Sequence, residues 1–587
     1  MFRGVLALAV ASVVIFACSV SQAAPPIEAY GRLPALEQVS LSPSGQRYAM
    51  IAVAGEARKL IVATIDDKPL LVAGLGAAKV RAIRWAGEDH LLIETSATVT
   101  LGMDFSIDRE ELYGVVAINV ATGKLTPIFP PHGGIEPTVL RNYGARLING
   151  QWFGFFGGIT METNHSGDLT LTHTYPDLYR VNLDTGAPDK VASGSEVGAG
   201  WLVGPNGEVV ARASYDQRQG DWKIMRGGFG GPVLASGNNP FGGVTLEGLG
   251  RTPGTLLVNV PKAHATSEEE IPLAGGPAVE VPENKYINEV LLDRRTMTWI
   301  GYASGGDVPE LNMFDPQIAA RVRGTRKAFP NQSVIFTSWS DDFSRIMVFT
   351  TGGDDSGTYW LVDIAKGAAD PVGHAYPDVP PEAVGPIRMV DWKAADGLEL
   401  HGVLSLPPDR PAHNLPVVVL PHGGPEARDY PVFDWWAQAF ASQGYAVLQP
   451  NFRGSSGYGP GFVEAGQGQW GRKMQTDVSD GLAELVKEGV VDPKRACIVG
   501  ASYGGYAALA GVTVQHGLYR CAVADAGVSD LSGMLTYEYD KRLEASAGTR
   551  YWKAFMGPTS GFSEIAPLRL ASKADAPILL IHGKDDT

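Results

Sequence analysis

The sequence predicts two domains of different class: a β-propeller, taken as seven-bladed, followed by an α/β-hydrolase domain with a doubly wound, mostly parallel sheet. Three observations predict this. Residues from about 30 to 380 repeat short turn-and-strand units. After Pro380, continuous apolar runs alternate with segments of helical periodicity. Between one such run and one such helix stands Gly500-Ala501-Ser502-Tyr503-Gly504-Gly505.

At 587 residues the chain exceeds what one hydrophobic core organises, so at least two domains are expected. Hydrophobic content of 44% and charged content of 19% describe a globular protein. The 72 glycines and 40 prolines favour many short strands joined by turns. A net charge of −15 argues against a nucleic-acid partner and reads as solubility.

Residues 1–23 read as an export signal: Arg3, an apolar run from Val5 to Phe16, and the small-x-small site Ser21-Gln22-Ala23. The run is too short for a convincing membrane span, and no later stretch is long and apolar enough to be one. A periplasmic or secreted location follows. The alternative, a lipid anchor on Cys18, is disfavoured by bulky Phe16. Cys497 and Cys521 remain after cleavage; a disulfide and two buried thiols both fit them. No Cys/His cluster has zinc spacing, and no cofactor is expected.

The domains are placed at 24–380 and 381–587. In the first, turns such as Ser42-Pro43-Ser44-Gly45, Gly204-Pro205-Asn206-Gly207 and Ser340-Asp341-Asp342 each precede a strand. Strands ending in a tight turn recur at Ala117–Lys124, Leu178–Gly186 and Trp360–Gly367. Small antiparallel sheets stacked around an axis bury both faces and leave few edges, which is a propeller; a set of β-sandwiches is the alternative. In the second domain a hairpin turns at Asp396-Gly397. Strands are read at 417–420, 445–448, 496–499, 521–524 and 578–581, and helices at 434–442, 477–487 and 506–514. Continuous apolar strands with crossover helices form a parallel sheet covered on both faces.

Gly-x-Ser-x-Gly alone says little in a glycine-rich chain. At a sharp strand-to-helix turn it places a serine hydroxyl above the sheet, with glycines leaving room on both sides. Ser502 is therefore the candidate nucleophile. The Tyr503 backbone N–H is one candidate oxyanion donor. A second is expected from Pro421-His422-Gly423-Gly424-Pro425, which follows the strand at 417–420; His422 there is expected to shape the oxyanion hole and not to be the general base. Pro-His-Gly-Gly also occurs at 131–134, without that context. In this fold the acid follows the serine and precedes the base, which points to the turn in "ILLIHGKDDT": Asp586, with Asp585 as runner-up.

"HGGPEARDY", "NFRGSSGYG", "QWGRKMQTDV", "GASYGGYAAL" and "IHGKDD" occur in the order seen in the prolyl oligopeptidase family of serine peptidases, and most resemble its acylaminoacyl-peptidase and oligopeptidase-like bacterial branch. The resemblance covers the second domain; the first agrees only in kind. It implies Ser502 as nucleophile, Asp586 as acid, and the N–H groups of Tyr503 and Gly424 as oxyanion donors. It also implies a histidine a few tens of residues beyond the acid. Only His516 and His582 follow Ser502, and neither has that place. The sequence is accordingly expected to be a fragment of a longer protein, lacking the last strand and helix of the hydrolase domain and with little triad catalysis.

The expected function is hydrolysis of short peptides through an acyl-enzyme, the propeller excluding folded proteins as the resemblance implies. An esterase using the same machinery, and a non-catalytic propeller that binds peptides, are the alternatives. Capture of a free amino terminus would need carboxylates. Glu268-Glu269-Glu270 and Glu110-Glu111 are candidates by composition, although charge runs are usually solvated turns. Arg453 is expected to support its glycine-rich loop through an ion pair, and Trp435 and Trp436 to pack their helix.

Overall fold

The computed structural model describes residues 24–100, 109–131, 133–163, 169–198, 200–228, 230–262, 266–284, 287–542, 546–584 and 586. The expected export signal, with Cys18, lies outside them, as do Asp585 and His132 of the second Pro-His-Gly-Gly.

Seven antiparallel sheets follow one another: blades 1 (36–76), 2 (79–127), 3 (141–192), 4 (200–238), 5 (245–280), 6 (287–313) and 7 (333–374). Blade 6 has three strands and the others four. The first strand of every blade lines one central cavity of about 540 Å³, which is the axis of a seven-bladed propeller. The ring closes where blade 7 meets blade 1. The Leu41 N–H donates to Ser338 Oγ at 2.9 Å, and the Asp341 N–H to the Pro43 carbonyl at 2.8 Å. Val39, Leu41, Tyr48, Met347 and Leu361 share a core across that seam.

The repeated motifs serve local hydrogen bonding. Ser42 Oγ and Ser340 Oγ each accept the backbone N–H five residues on, from Arg47 and Arg345, and square the turn before a strand. The side-chain oxygens of Asn119 and Asn182 each accept the N–H groups two and three residues on, and Gly123 (φ 70°) and Gly186 (φ 77°) complete the turn in the left-handed region.

The second domain has a seven-stranded sheet. Its strands are β1 (Ile387–Lys393), β2 (Glu399–Ser405), β3 (Leu415–Val419), β4 (Ala446–Asn451), β5 (Val491–Ala501), β6 (Cys521–Asp525) and β7 (Ile578–Ile581). Their order is β1-β2-β4-β3-β5-β6-β7, with β1 and β2 antiparallel and the pairs from β4 to β7 parallel. Its longer helices are α1 (Trp435–Ser442), α2 (Lys473–Lys487), α3 (Tyr503–Thr513), α4 (Leu531–Arg542) and α5 (Ala547–Met556). The main core joins β1–β5 to α2 and α3 through Leu404, Val417, Leu448, Val478, Leu482 and Ile498. On β7, Leu579, Leu580 and Ile581 are exposed.

Two helices begin earlier than their sequence periodicity indicates. Helix α2 starts at Lys473, not Asp477, and α3 at Tyr503, not Tyr506. In α3 the reason is packing. Gly504 and Gly505 read as turn residues, but they lie in the first helical turn because no side chain fits there. A Cβ on Gly504 would stand 2.1 Å from the Pro421 carbonyl oxygen, and one on Gly505 2.7 Å from Gly527 Cα. Cys497 and Cys521, left open by the sequence, face each other in register on β5 and β6 and form a disulfide. Trp436 packs against the sheet, but Trp435 is 45% exposed and stacks on Trp436, so only one of the pair packs the helix.

Candidate active site

The nucleophile turn follows from its residues. Ser502 directly follows β5 and caps α3 with φ 55° and ψ −119°, a conformation that costs a non-glycine residue on the order of 1–3 kcal/mol. Its N–H donates to the Asp525 carbonyl at 3.0 Å, and its carbonyl accepts from the Tyr506 N–H at 3.0 Å. A Cβ on Gly500 would stand 2.5 Å from the Gly504 backbone. The two glycines therefore let the turn close, and the Ser502 side chain stays exposed. The next residue, Tyr503, is buried, its ring 5.1 Å from Phe452 and 4.6 Å from Trp470. Its N–H lies in the first turn of α3, where the helix ladder offers no acceptor.

The loop after β3 lies against this turn. A Cβ on Gly423 would stand 3.5 Å from Ser502 Cβ and 4.0 Å from Oγ. Gly424 is exposed, with φ 118°, and a Cβ there would meet the Glu426 nitrogen at 2.7 Å, so the chain can turn here only without a side chain. His422 braces the loop. Its Nδ1 is 2.7 Å from the Gly423 carbonyl, which can only accept, so Nδ1 carries the proton. Its Nε2 is 2.9 Å from the Ser455 hydroxyl. Burial pushes its pKa down to about 4, so the ring is neutral at pH 7.

The loop carrying Ser455 is itself fixed by Arg453. The guanidinium binds Asp477 of α2 at 2.7 and 2.8 Å and Asp396 at 2.9 and 2.9 Å. This is the ion pair the sequence suggested. The Arg453 and Lys473 charges hold the Asp396 carboxyl well below the usual range.

Asp586 follows β7. Because β5, β6 and β7 are parallel, Ser502 and Asp586 both emerge at the carboxyl edge of the sheet, where such folds gather their reactive groups. The Asp586 carboxylate is 3.3 Å from His582 Nε2. His516 lies beyond the far end of α3, whose 11 residues span about 16 Å, and it pairs with Asp575 at 3.5 Å.

The propeller meets this edge on several sides, through contacts that no sequence pattern marks. Arg550 of α5 donates to the Pro240 carbonyl at 2.5 Å and the Gln217 carbonyl at 2.8 Å. Arg428, buried under Tyr458, reaches Asp307 at 3.3 Å. Ser333 Oγ donates to the Pro431 carbonyl at 3.0 Å, and the Phe433 N–H to Thr351 Oγ1 at 3.0 Å. Tyr551 donates to Glu426 at 3.1 Å, closing α5 onto the loop beside Ser502. The acidic runs are not solvated turns. Glu268 and Glu270 are buried in blade 5, where Glu270 accepts the Arg251 N–H at 2.7 Å. Glu111 is held by Arg81 and Lys79 in blade 2. Glu270 and Glu111 brace their own blades.

Residues 431–587 match the prolyl oligopeptidase family. Over 448 residues the chain is 27% identical to dipeptidyl aminopeptidase BIII of Pseudoxanthomonas mexicana, a match covering 70% of this chain and 62% of that protein. It is 27% identical over 335 residues to dipeptidyl peptidase family member 6 of Caenorhabditis elegans, covering 51% of this chain and 44% of the relative. The matches thus span less than two thirds of these curated relatives. Two solved structures share the fold. A puromycin-hydrolyzing peptidase of Mycobacterium tuberculosis has TM-score 0.66 and 19% identity, over 95% of this chain and 88% of the other. An acylaminoacyl peptidase of Pyrococcus horikoshii has TM-score 0.63 and 14% identity, over 96% and 88%. Residues 431–587 therefore form a prolyl oligopeptidase family domain, which follows a seven-bladed propeller.

Proposed function

We propose that the protein is a serine peptidase acting on short peptides. One observation carries the reading: Ser502 is exposed on a strained turn at the start of α3, beside the Gly423-Gly424 loop and under the propeller. Ser502 Oγ attacks the peptide carbonyl. The N–H groups of Tyr503 and Gly424 receive the oxyanion; one such donor contributes roughly 3–4 kcal/mol to the barrier in comparable sites. Asp586 orients the histidine that takes the serine proton and returns it to the leaving amine, and water then releases the acyl group. The surrounding propeller contacts favour short peptides over folded proteins.

The disulfide between Cys497 and Cys521 supports export to an oxidising compartment. No helix among the described residues is long and apolar enough to cross a membrane.

The test uses protein expressed from its natural reading frame through its own stop codon. Blocked and free short peptides and p-nitrophenyl esters are compared, with Ser502→Ala alongside. Peptide turnover lost in the variant is expected. Turnover of esters alone favours the esterase reading, and turnover of neither favours a binding protein.

A further inference from the structure

The propeller cavity holds a cation that the fold does not use. The hydrolase domain sits on the propeller face where the first strands of the blades begin. Ser333, first in blade 7, meets Pro431, and Pro240, just before blade 5, meets Arg550. Arg141 is the first residue of blade 3 and so stands at this same end. It borders both the 540 Å³ axial cavity and a second cavity of about 300 Å³. The second cavity is also lined by Tyr215 and Gln217, the blade 4 residues that meet Arg550 of α5. The two cavities share Arg141, Trp201 and Leu246, so Arg141 stands between the propeller axis and the blade 4 residues that meet α5.

The guanidinium of Arg141 differs from its neighbours. Of the other arginines lining the axial cavity, Arg84 is paired with Glu94, Arg146 donates to the Val203 and Gly204 carbonyls, and Arg294 donates to the Trp339 carbonyl. Arg141 is exposed and lies 5.4 Å above the Tyr143 ring, and among the described residues no carboxylate pairs with it. Glu247 is near enough to feel its charge, but burial pushes that carboxyl up, which weakens it as a counter-ion. A guanidinium in a concave site with no carboxylate partner suits a planar bidentate anion.

We propose that Arg141 anchors a carboxylate of the bound peptide. The site would then select short peptides by charge as well as size, reading the C-terminal carboxylate or an acidic side chain. This rests on the peptidase reading for its substrate class, but its test does not need turnover.

The experiment is calorimetric titration of the full chain carrying Ser502→Ala, so that nothing is cleaved. The probes are Ala-Ala-Ala, its C-terminal amide, and Ala-Ala-Asp-amide. The free acid is expected to bind at least tenfold more tightly than the amide. Arg141→Gln should reduce that ratio to below twofold, and Arg141→Lys should retain part of it. Recovery of affinity by Ala-Ala-Asp-amide assigns the site to any carboxylate; no recovery confines it to the C-terminus, and both retain the anchor. Equal binding of acid and amide by the Arg141 protein overturns the proposal, as does a ratio unchanged by Arg141→Gln. Fluorophosphonate labelling of Ser502 reports on the peptidase reading separately, so the two can fail independently.

Discussion

Replacing Arg453 with methionine removes the cation at the centre of the loop that braces His422. The Arg453 side chain is 5% accessible and Asp477 is fully buried. The substitution deletes four side-chain hydrogen bonds and leaves the Asp477 carboxylate without its counter-charge. Breaking such a pair costs about 3–5 kcal/mol, equivalent to a hundred- to a few-thousand-fold in local opening. The assay is amide hydrogen exchange across α2 and β5, which reads regional opening directly. Two controls follow from the same reasoning. Arg453→Met combined with Asp477→Leu removes both charges and should recover most of the loss. Burial already raises the Asp477 carboxyl against the pull of Arg453, so without the arginine it rises further. The defect of the single variant should therefore shrink as pH falls and the carboxyl takes up a proton. A change under tenfold in the single variant, or a double variant no better than the single, refutes the reasoning.

Further outcomes are expected. Gly504→Ala places a methyl 2.1 Å from the Pro421 oxygen and should abolish fluorophosphonate labelling of Ser502 while the propeller stays folded, as read by exchange in its blades. Burial pushes Glu268 up to about 7, above its unfolded value, so the folded state binds the extra proton and stability falls as pH rises from about 4.5 through 7. Glu268→Gln should remove that slope and stabilise the propeller at pH 8 by on the order of 2 kcal/mol, measured by urea unfolding. Arg550→Met should raise amide exchange at 215–219 and 547–556 with blade 7 unaffected, because its contacts with Gln217 and Pro240 tie α5 to blade 4.

The propeller was legible because its turns are chemically stereotyped. Ser42 and Ser340, and likewise Asn119 and Asn182, make the same local bonds, and local bonds leave a sequence pattern. The strand-to-helix turn at Ser502 was legible for the same reason. The helical state of Gly504 and Gly505 was not, because it is imposed by Pro421 and Gly527, which arrive from elsewhere in the chain. The braces around the site were hidden too. Arg550 and Gln217 are 333 positions apart, and Arg428 and Asp307 are 121. No periodicity records such partners. Glu268 and Glu270 were misread because composition does not register burial in a strand.

The central claim is that Ser502 is the nucleophile of a peptidase. It is tested most directly by treating the protein, expressed through its natural stop codon, with a fluorophosphonate and mapping the adduct by mass spectrometry. A single adduct on Ser502, lost in Ser502→Ala and blocked by a peptide chloromethyl ketone, is the predicted result. No adduct, or one on a different residue that persists in Ser502→Ala, contradicts the account.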